Sequence, residues 1–218
     1  MMKKAVIFLF LSVFVHFTYA QQGFQSYADG APATLIVKTD VEGTELLYDK
    51  WLPANIQSVN GKVYQGVMVK YNLLEDVAYF LGKGDVTMIF STPIKQFTIE
   101  DKENNVSRTF RTGFPNFNGY NGNTFYEVLV DGDTKLLKKQ HKKITESRAY
   151  NSATLVKKIV DNVSYFMFAN NILTEVKRDK KFFQSFAGSN ANTLMLLNDK
   201  SINLKKEEDL IKVVKMFN

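Results

Sequence analysis

Cysteine is absent from the 218-residue chain. That one absence removes thiol nucleophiles, disulfide staples, cysteine-based zinc clusters and the lipid-bearing cysteine of a bacterial lipoprotein. Histidine is almost as scarce, with His16 and His141 the two present. Because His16 lies in a segment expected to be removed, any Ser/His pairing has to run through His141. The chemistries left open are those of carboxylates, of lysine, and of a carboxylate metal site. The chain also lacks Pro- or Ser-rich linkers, low-complexity runs and internal repeats. Beyond its first twenty residues it has no stretch apolar enough to cross a bilayer as a helix.

What is present begins with MMKKAVIFLFLSVFVHFTYA. Lys3 and Lys4 form a charged start, Ala5 to Phe17 an apolar run, and Thr18-Tyr19-Ala20 a cleavage-like ending, the layout of a secretory signal peptide. The apolar run is shorter than the ~20 residues a transmembrane anchor needs. The expectation is therefore export to the periplasm, the cell surface or the extracellular space, with residues 1–20 removed and no transmembrane segment afterwards. Loss of Lys3 and Lys4 takes the 28 Lys and Arg to 26 against 22 Asp and Glu, a net charge of +4. So mild a bias tolerates anionic surfaces but does not make a nucleic-acid binder, which needs a concentrated basic stripe. The expected partner is an envelope glycan or protein, and oligomeric state is left open.

Residues 21–42 read as an irregular lead, with a short strand at Leu35 to Val37. From residue 43 to 178 the pattern is strongly β, with about ten short strands at the spacing of a sandwich, a barrel or a bent sheet. Asn60-Gly61 carries the sequence signature of a type I′ hairpin turn, which needs positive φ at both central residues. Gly82 to Gly84, Asp131-Gly132 and Ala169-Asn170-Asn171 mark further turns, and strands joined so closely are antiparallel neighbours. Residues 179–218 change period. Phe182, Phe183 and Phe186 suggest one helix, Leu194, Leu196 and Leu197 a second after a break at Gly188-Ser189, and Leu210, Ile211, Val213, Val214 and Phe217 a third. Glu207, Glu208 and Asp209 complement the dipole of that last helix at its start. The expected fold is thus mainly β (α+β), one domain with an antiparallel sheet and a C-terminal helical segment packed on its open side.

Two stretches, GKVYQGVMVKYNLLEDVAYF (61–80) and KKFFQSFAGSNANTLMLLNDKSINLKKEEDLIKVVKMFN (180–218), carry a resemblance. Tyr71-Asn72, Glu75-Asp76 and Lys205 to Leu210 are similar to recurring segments of a family of secreted Gram-negative bacterial proteins of unknown function. The matches cover about a quarter of the chain. The resemblance implies an exported β-rich domain with a helical end, and it implies no activity.

Two segments are candidate sites. GFPNFNGYNGNTFY (113–126) sets aromatic rings among asparagine and glycine, a combination suited to stacking on a pyranose while amides bind its hydroxyls. Phe117, Asn118 and Tyr120 are the leading contacts, against the alternative that Phe114 and Phe117 merely plug the loop onto the core. TKLLKKQHKKITESR (134–148) presents lysines on both faces if it is a strand, and so reads as a protruding arm or an edge strand rather than a central one. Lys138, Lys139, Lys142 and Lys143 are its candidate contacts to a polyanion. Asp131-Gly132-Asp133 lacks the spaced carboxylates of a calcium loop and reads as a turn, so no metal or cofactor is expected. The leading function is a non-enzymatic binding or structural module of the cell envelope. The alternatives are a glycan hydrolase using two carboxylates across a cleft, and polyanion attachment through the basic hairpin.

Overall fold

The computed structural model describes residues 28–34, 40–148, 155–187 and 191–218. The expected signal peptide, the strand at Leu35 to Val37 and the break at Gly188-Ser189 lie outside the described residues. Twelve strands are described: β1 Gly30–Pro32, β2 Val41–Glu42, β3 Leu52–Ser58, β4 Val63–Asn72, β5 Val77–Leu81, β6 Thr87–Phe90, β7 Ile94–Asp101, β8 Val106–Arg111, β9 Tyr126–Val130, β10 Lys135–Arg148, β11 Leu155–Ala169 and β12 Ile172–Glu175. They form one sheet in the order β1-β6-β5-β4-β3-β7-β8-β9-β10-β11-β12, with β2 beside β11. The pairings along this path are antiparallel, whereas β2 runs parallel to β11. The sheet is bent but does not close, which decides among the bent sheet, sandwich and barrel in favour of the first. Part of the expected irregular lead is ordered, since β1 pairs with β6 and β2 with β11.

Local chemistry accounts for the turns and the bend. The β3–β4 connection is not the expected type I′ turn, because only Gly61 of the Asn60-Gly61 pair has positive φ, +85°. Gly61 N donates to Ser58 O (3.0 Å) and Ser58 N to Lys62 O (3.0 Å), closing a loop of three residues. Asn60 instead uses its side-chain oxygen, accepting from Ser58 Oγ at 2.6 Å and Lys62 N at 3.2 Å. A two-residue turn with both φ positive occurs at Asn170 (51°) and Asn171 (61°), between the paired Ala169 and Ile172. The register of β3 against β4 slips between Ala54 and Ile56, opposite Gly66 at φ +65°. Such a bulge bends its strand, and glycine adopts that backbone without a Cβ penalty.

Three apolar clusters result. Strands β3 to β8 curl around Tyr71, Phe97, Phe110 and Phe125, with Phe97 and Phe110 stacked at 4.9 Å. On one face of β9 to β11 sit the helices α1 Lys180–Ala187, α2 Ala191–Asn198 and α3 Glu207–Lys215. Leu210, Val213 and Val214 of α3 are fully buried in the cluster that contains Leu136 and Met167, a gain of about 1.5–3 kcal/mol each. Glu207 fixes the start of α3 to the sheet, accepting from the Tyr165 hydroxyl at 2.5 Å and pairing with Lys138 at 2.7 Å. The opposite face of β9 to β11 carries the third cluster, Phe114, Tyr126, Leu137, Phe166 and Leu173. The aromatic loop folds over that face. Among the described residues, no helix is long and apolar enough to cross a membrane.

Candidate functional site

The loop between β8 and β9 is built on a miniature hairpin. Phe117 and Tyr120 exchange both backbone hydrogen bonds, at 3.0 and 2.8 Å, around Asn118 (φ 42°) and Gly119 (φ 88°). This is the Asn-Gly turn with both φ positive that is expected at Asn60-Gly61. The base of the loop is closed by Gly113 N donating to Gly122 O at 2.7 Å. Rings then fasten it edge-on to the sheet: Phe114 to Tyr126 and Phe168, Phe117 to Phe166, and Tyr120 to Phe166 and Tyr126. Phe114 is buried and Phe117 half-buried, so these two are the plug of the alternative reading. Asn118 remains exposed and Tyr120 is half-buried.

Asn118, Gly119 and Tyr120 form one wall of an open cleft of about 550 Å³, continued by Asn121, Asn123 and Thr124. The β4–β5 turn, Leu73 to Asp76, is the opposite wall, and Lys139, His141 and Lys142 of β10 lie between. The turn is held by the Asn72 side-chain oxygen, which accepts from Leu74 N at 2.9 Å and Glu75 N at 3.0 Å. Asp76 adopts a left-handed φ of 59°. Its carboxylate accepts from the Tyr71 hydroxyl, from Phe125 N at 3.3 Å and from Lys139 Nζ at 2.8 Å. Lys139 also donates to Phe125 O at 3.2 Å. One ion pair thus joins the turn, the end of the aromatic loop and the floor of the cleft.

Alternation along β10 places residues 139, 141 and 143 on the face that carries the loop. Burial lowers the Lys139 pKa, and the Asp76 charge opposes that shift. His141 Nδ1 lies 3.4 Å from the Tyr120 hydroxyl. Burial, then the charges of Lys139 and Lys143, hold the imidazole below its ordinary pKa, so it is neutral at pH 7. Burial, then the carboxylates of Glu175 and Asp76, hold the Tyr120 hydroxyl above its usual range, so it stays a hydrogen-bond donor. The cleft therefore combines an aromatic ring, several amides, a neutral imidazole and a compensated ion pair. Its two acids, Glu75 and Asp76, are neighbours in the same turn, and among the described residues that line the cleft there is no third carboxylate.

The lysines of β10 sit on its long hairpin with β11. A strand with lysine on both faces is expected to be an arm or an edge, and β10 is flanked by β9 at Leu136 to Lys138, whereas from Lys139 to Arg148 its strand partner is β11, in a long hairpin. Lys139 is tolerated at 3% side-chain exposure because Asp76 supplies its counter-charge. Lys138 faces the helices and pairs with Glu207 at 2.7 Å. Lys142 donates to Thr44 O and Leu46 O at 2.8 and 2.9 Å. Three of the four proposed polyanion contacts are thus engaged within the chain, and Lys143 is the exposed one. Asp131, in the rejected calcium motif, is bound by Arg111 at 2.8 Å and Lys135 at 2.7 Å, which lower its carboxyl to about 2.

Sequence reasoning named Asn118 and Tyr120 but did not bring Glu75, Asp76 or His141 to the loop. Nothing local signals that Asp76 meets Lys139, 63 positions away. The second Asn-Gly dipeptide was the legible clue to the tip of the loop. Comparison with protein-family models, with curated proteins and with solved structures finds no match to this chain.

Proposed function

We propose that this protein is an exported, non-enzymatic binding module of the cell envelope that seats a glycan in the cleft between the Asn118-Gly119-Tyr120 tip and the Glu75-Asp76 turn. The observation that carries the reading is the half-exposed Tyr120 ring, held by Phe166 and Tyr126 and flanked along the same wall by Asn118, Asn121 and Asn123. A ring fixed in advance offers a pyranose an apolar face at low entropy cost, and amides both donate to and accept from hydroxyls. The charged start and apolar run of the first twenty residues support export, and the resemblance to secreted β-rich proteins fits the same compartment.

A screen of the purified protein against glycans and envelope components tests the reading. Tyr120→Ala is expected to weaken the captured glycan about tenfold, the scale of one aromatic contact. Asn118→Gly preserves the turn and should cost less than Asn118→Ala. Failure to retain any glycan, or an affinity indifferent to Tyr120→Ala in a folded variant, rejects it. Amino-terminal sequencing of protein recovered from outside the cytoplasm checks export, with Gln21 the expected first residue.

A further inference from the structure

The cleft does not end at Asp76. A second cavity of about 200 Å³ opens on the far side of the turn, and Asp76 and Asn123 line both. Its walls are of a different kind: Val77 and Ala78 of β5, Ile89 and Phe90 of β6, Ile94 of β7, and Phe125. The single carboxylate on its boundary is already satisfied. Both oxygens of Asp76 accept hydrogen bonds, from Tyr71 and Lys139 on one and Phe125 N on the other. A ligand entering this cavity therefore meets apolar surface and no uncompensated charge. Ile89 is 41% exposed, so the cavity is reachable from solvent.

We infer that the two cavities are one bipartite seat, and that its ligand is a saccharide bearing an alkyl or acyl chain. The sugar hydroxyls meet Tyr120 and the asparagine amides, while the chain lies against Ile89, Phe90 and Phe125. This rests on the glycan reading of the cleft and narrows it. The division of labour is that of ligand sites generally, where apolar walls supply affinity and a few polar groups fix orientation.

Calorimetric titration of the purified protein with matched methyl and n-hexyl β-glycosides of glucose, galactose and N-acetylglucosamine, and with 1-hexanol, tests the inference. For the sugar that binds, the hexyl glycoside should bind about tenfold more tightly than the methyl glycoside, the gain from burying about two methylenes. Ile89→Asp, at the exposed lip, should abolish that gain and leave the methyl glycoside unaffected. Thr92→Trp, which fills the cavity from the β6–β7 connection, should do the same, so the result does not depend on one variant's folding. Equal affinities for methyl and hexyl glycosides would overturn the apolar subsite while the glycan reading survives. Hexanol binding as tightly as the hexyl glycoside, or no glycoside binding at all, would overturn both.

Discussion

Replacing Asp76 by Asn removes the charge that the architecture of the cleft depends on. Asparagine keeps one acceptor, its carbonyl oxygen, for the Tyr71 hydroxyl, turns an amide NH2 toward Phe125 N in place of the second carboxylate oxygen, and tolerates the left-handed φ of 59° at this position. Beyond the long 3.3 Å contact from Phe125 N, it removes the counter-charge of Lys139, whose side chain is 3% exposed and whose ammonium sits 2.8 Å from the carboxylate. Breaking a buried pair by removing one partner costs about 3–5 kcal/mol, because the remaining ion is left uncompensated. Asp76 itself is 27% exposed, so water relieves part of that penalty and a loss of about 2–3 kcal/mol is expected. With a slope of about 1–3 kcal/mol per molar urea, the unfolding midpoint falls by about 0.7–3 M. The second substitution supplies the control. Lys139→Met in the Asp76→Asn background removes the stranded charge and should restore at least about 1 kcal/mol, since apolar replacement of a buried pair is often neutral or stabilising. The pH dependence follows from the same charge. Burial already lowers the Lys139 pKa, and losing Asp76 lowers it further. A depressed lysine pKa means that the unfolded chain binds the proton more tightly, so the single variant should regain stability as pH climbs through the lowered folded value toward the unfolded value of about 10.4. Urea unfolding followed by circular dichroism measures all of this. A cost below about 0.5 kcal/mol for Asp76→Asn, or no rescue by Lys139→Met, would show that the pair does not hold the cleft together.

Three further outcomes can be checked separately. Gly66→Ala forces a Cβ into φ +65° with open space around it, so backbone strain alone should cost about 1–2 kcal/mol, with Gly66→Asn milder. His141 should titrate below its unfolded value of about 6.5 by NMR. Because its folded pKa is depressed, stability is complete above about 6.5 and falls as pH drops through the folded value, and His141→Gln should flatten that slope. Asp131 should titrate near 2, with its contribution present above about pH 4 and lost as pH falls toward 2. Arg111→Gln should move that midpoint upward, since Arg111 is the largest cause of the shift.

Much of the fold was written in local pattern. Alternation and turn residues mark about ten strands, as many as lie between Leu52 and Glu175, and helical spacing marks the apolar face of α3. These signals are legible because pleat, helix pitch and turn sterics are properties of neighbouring residues. Asn-Gly was a sound signal applied to the wrong copy. At Asn60 a nearby hydroxyl and amide engage the side chain, whereas at Asn118 the pairing of Phe117 with Tyr120 favours the turn with both φ positive. A single sequence does not rank those two contexts.

By itself the sequence determined which chemistries have no side chains to perform them, that the chain folds as antiparallel strands with a helical end, and that residues 113–126 carry rings among amides. Only the tertiary structure decided that the sheet stays open, that lysine-rich β10 extends past β9 in a hairpin with β11, and that Asn118 and Tyr120 share a cleft with Glu75, Asp76 and His141. The physical reason is separation along the chain. Periodicity reports which way a side chain points, but the field around Lys139 is set by an aspartate 63 residues earlier, and only the folded sheet brings the two charges within 2.8 Å.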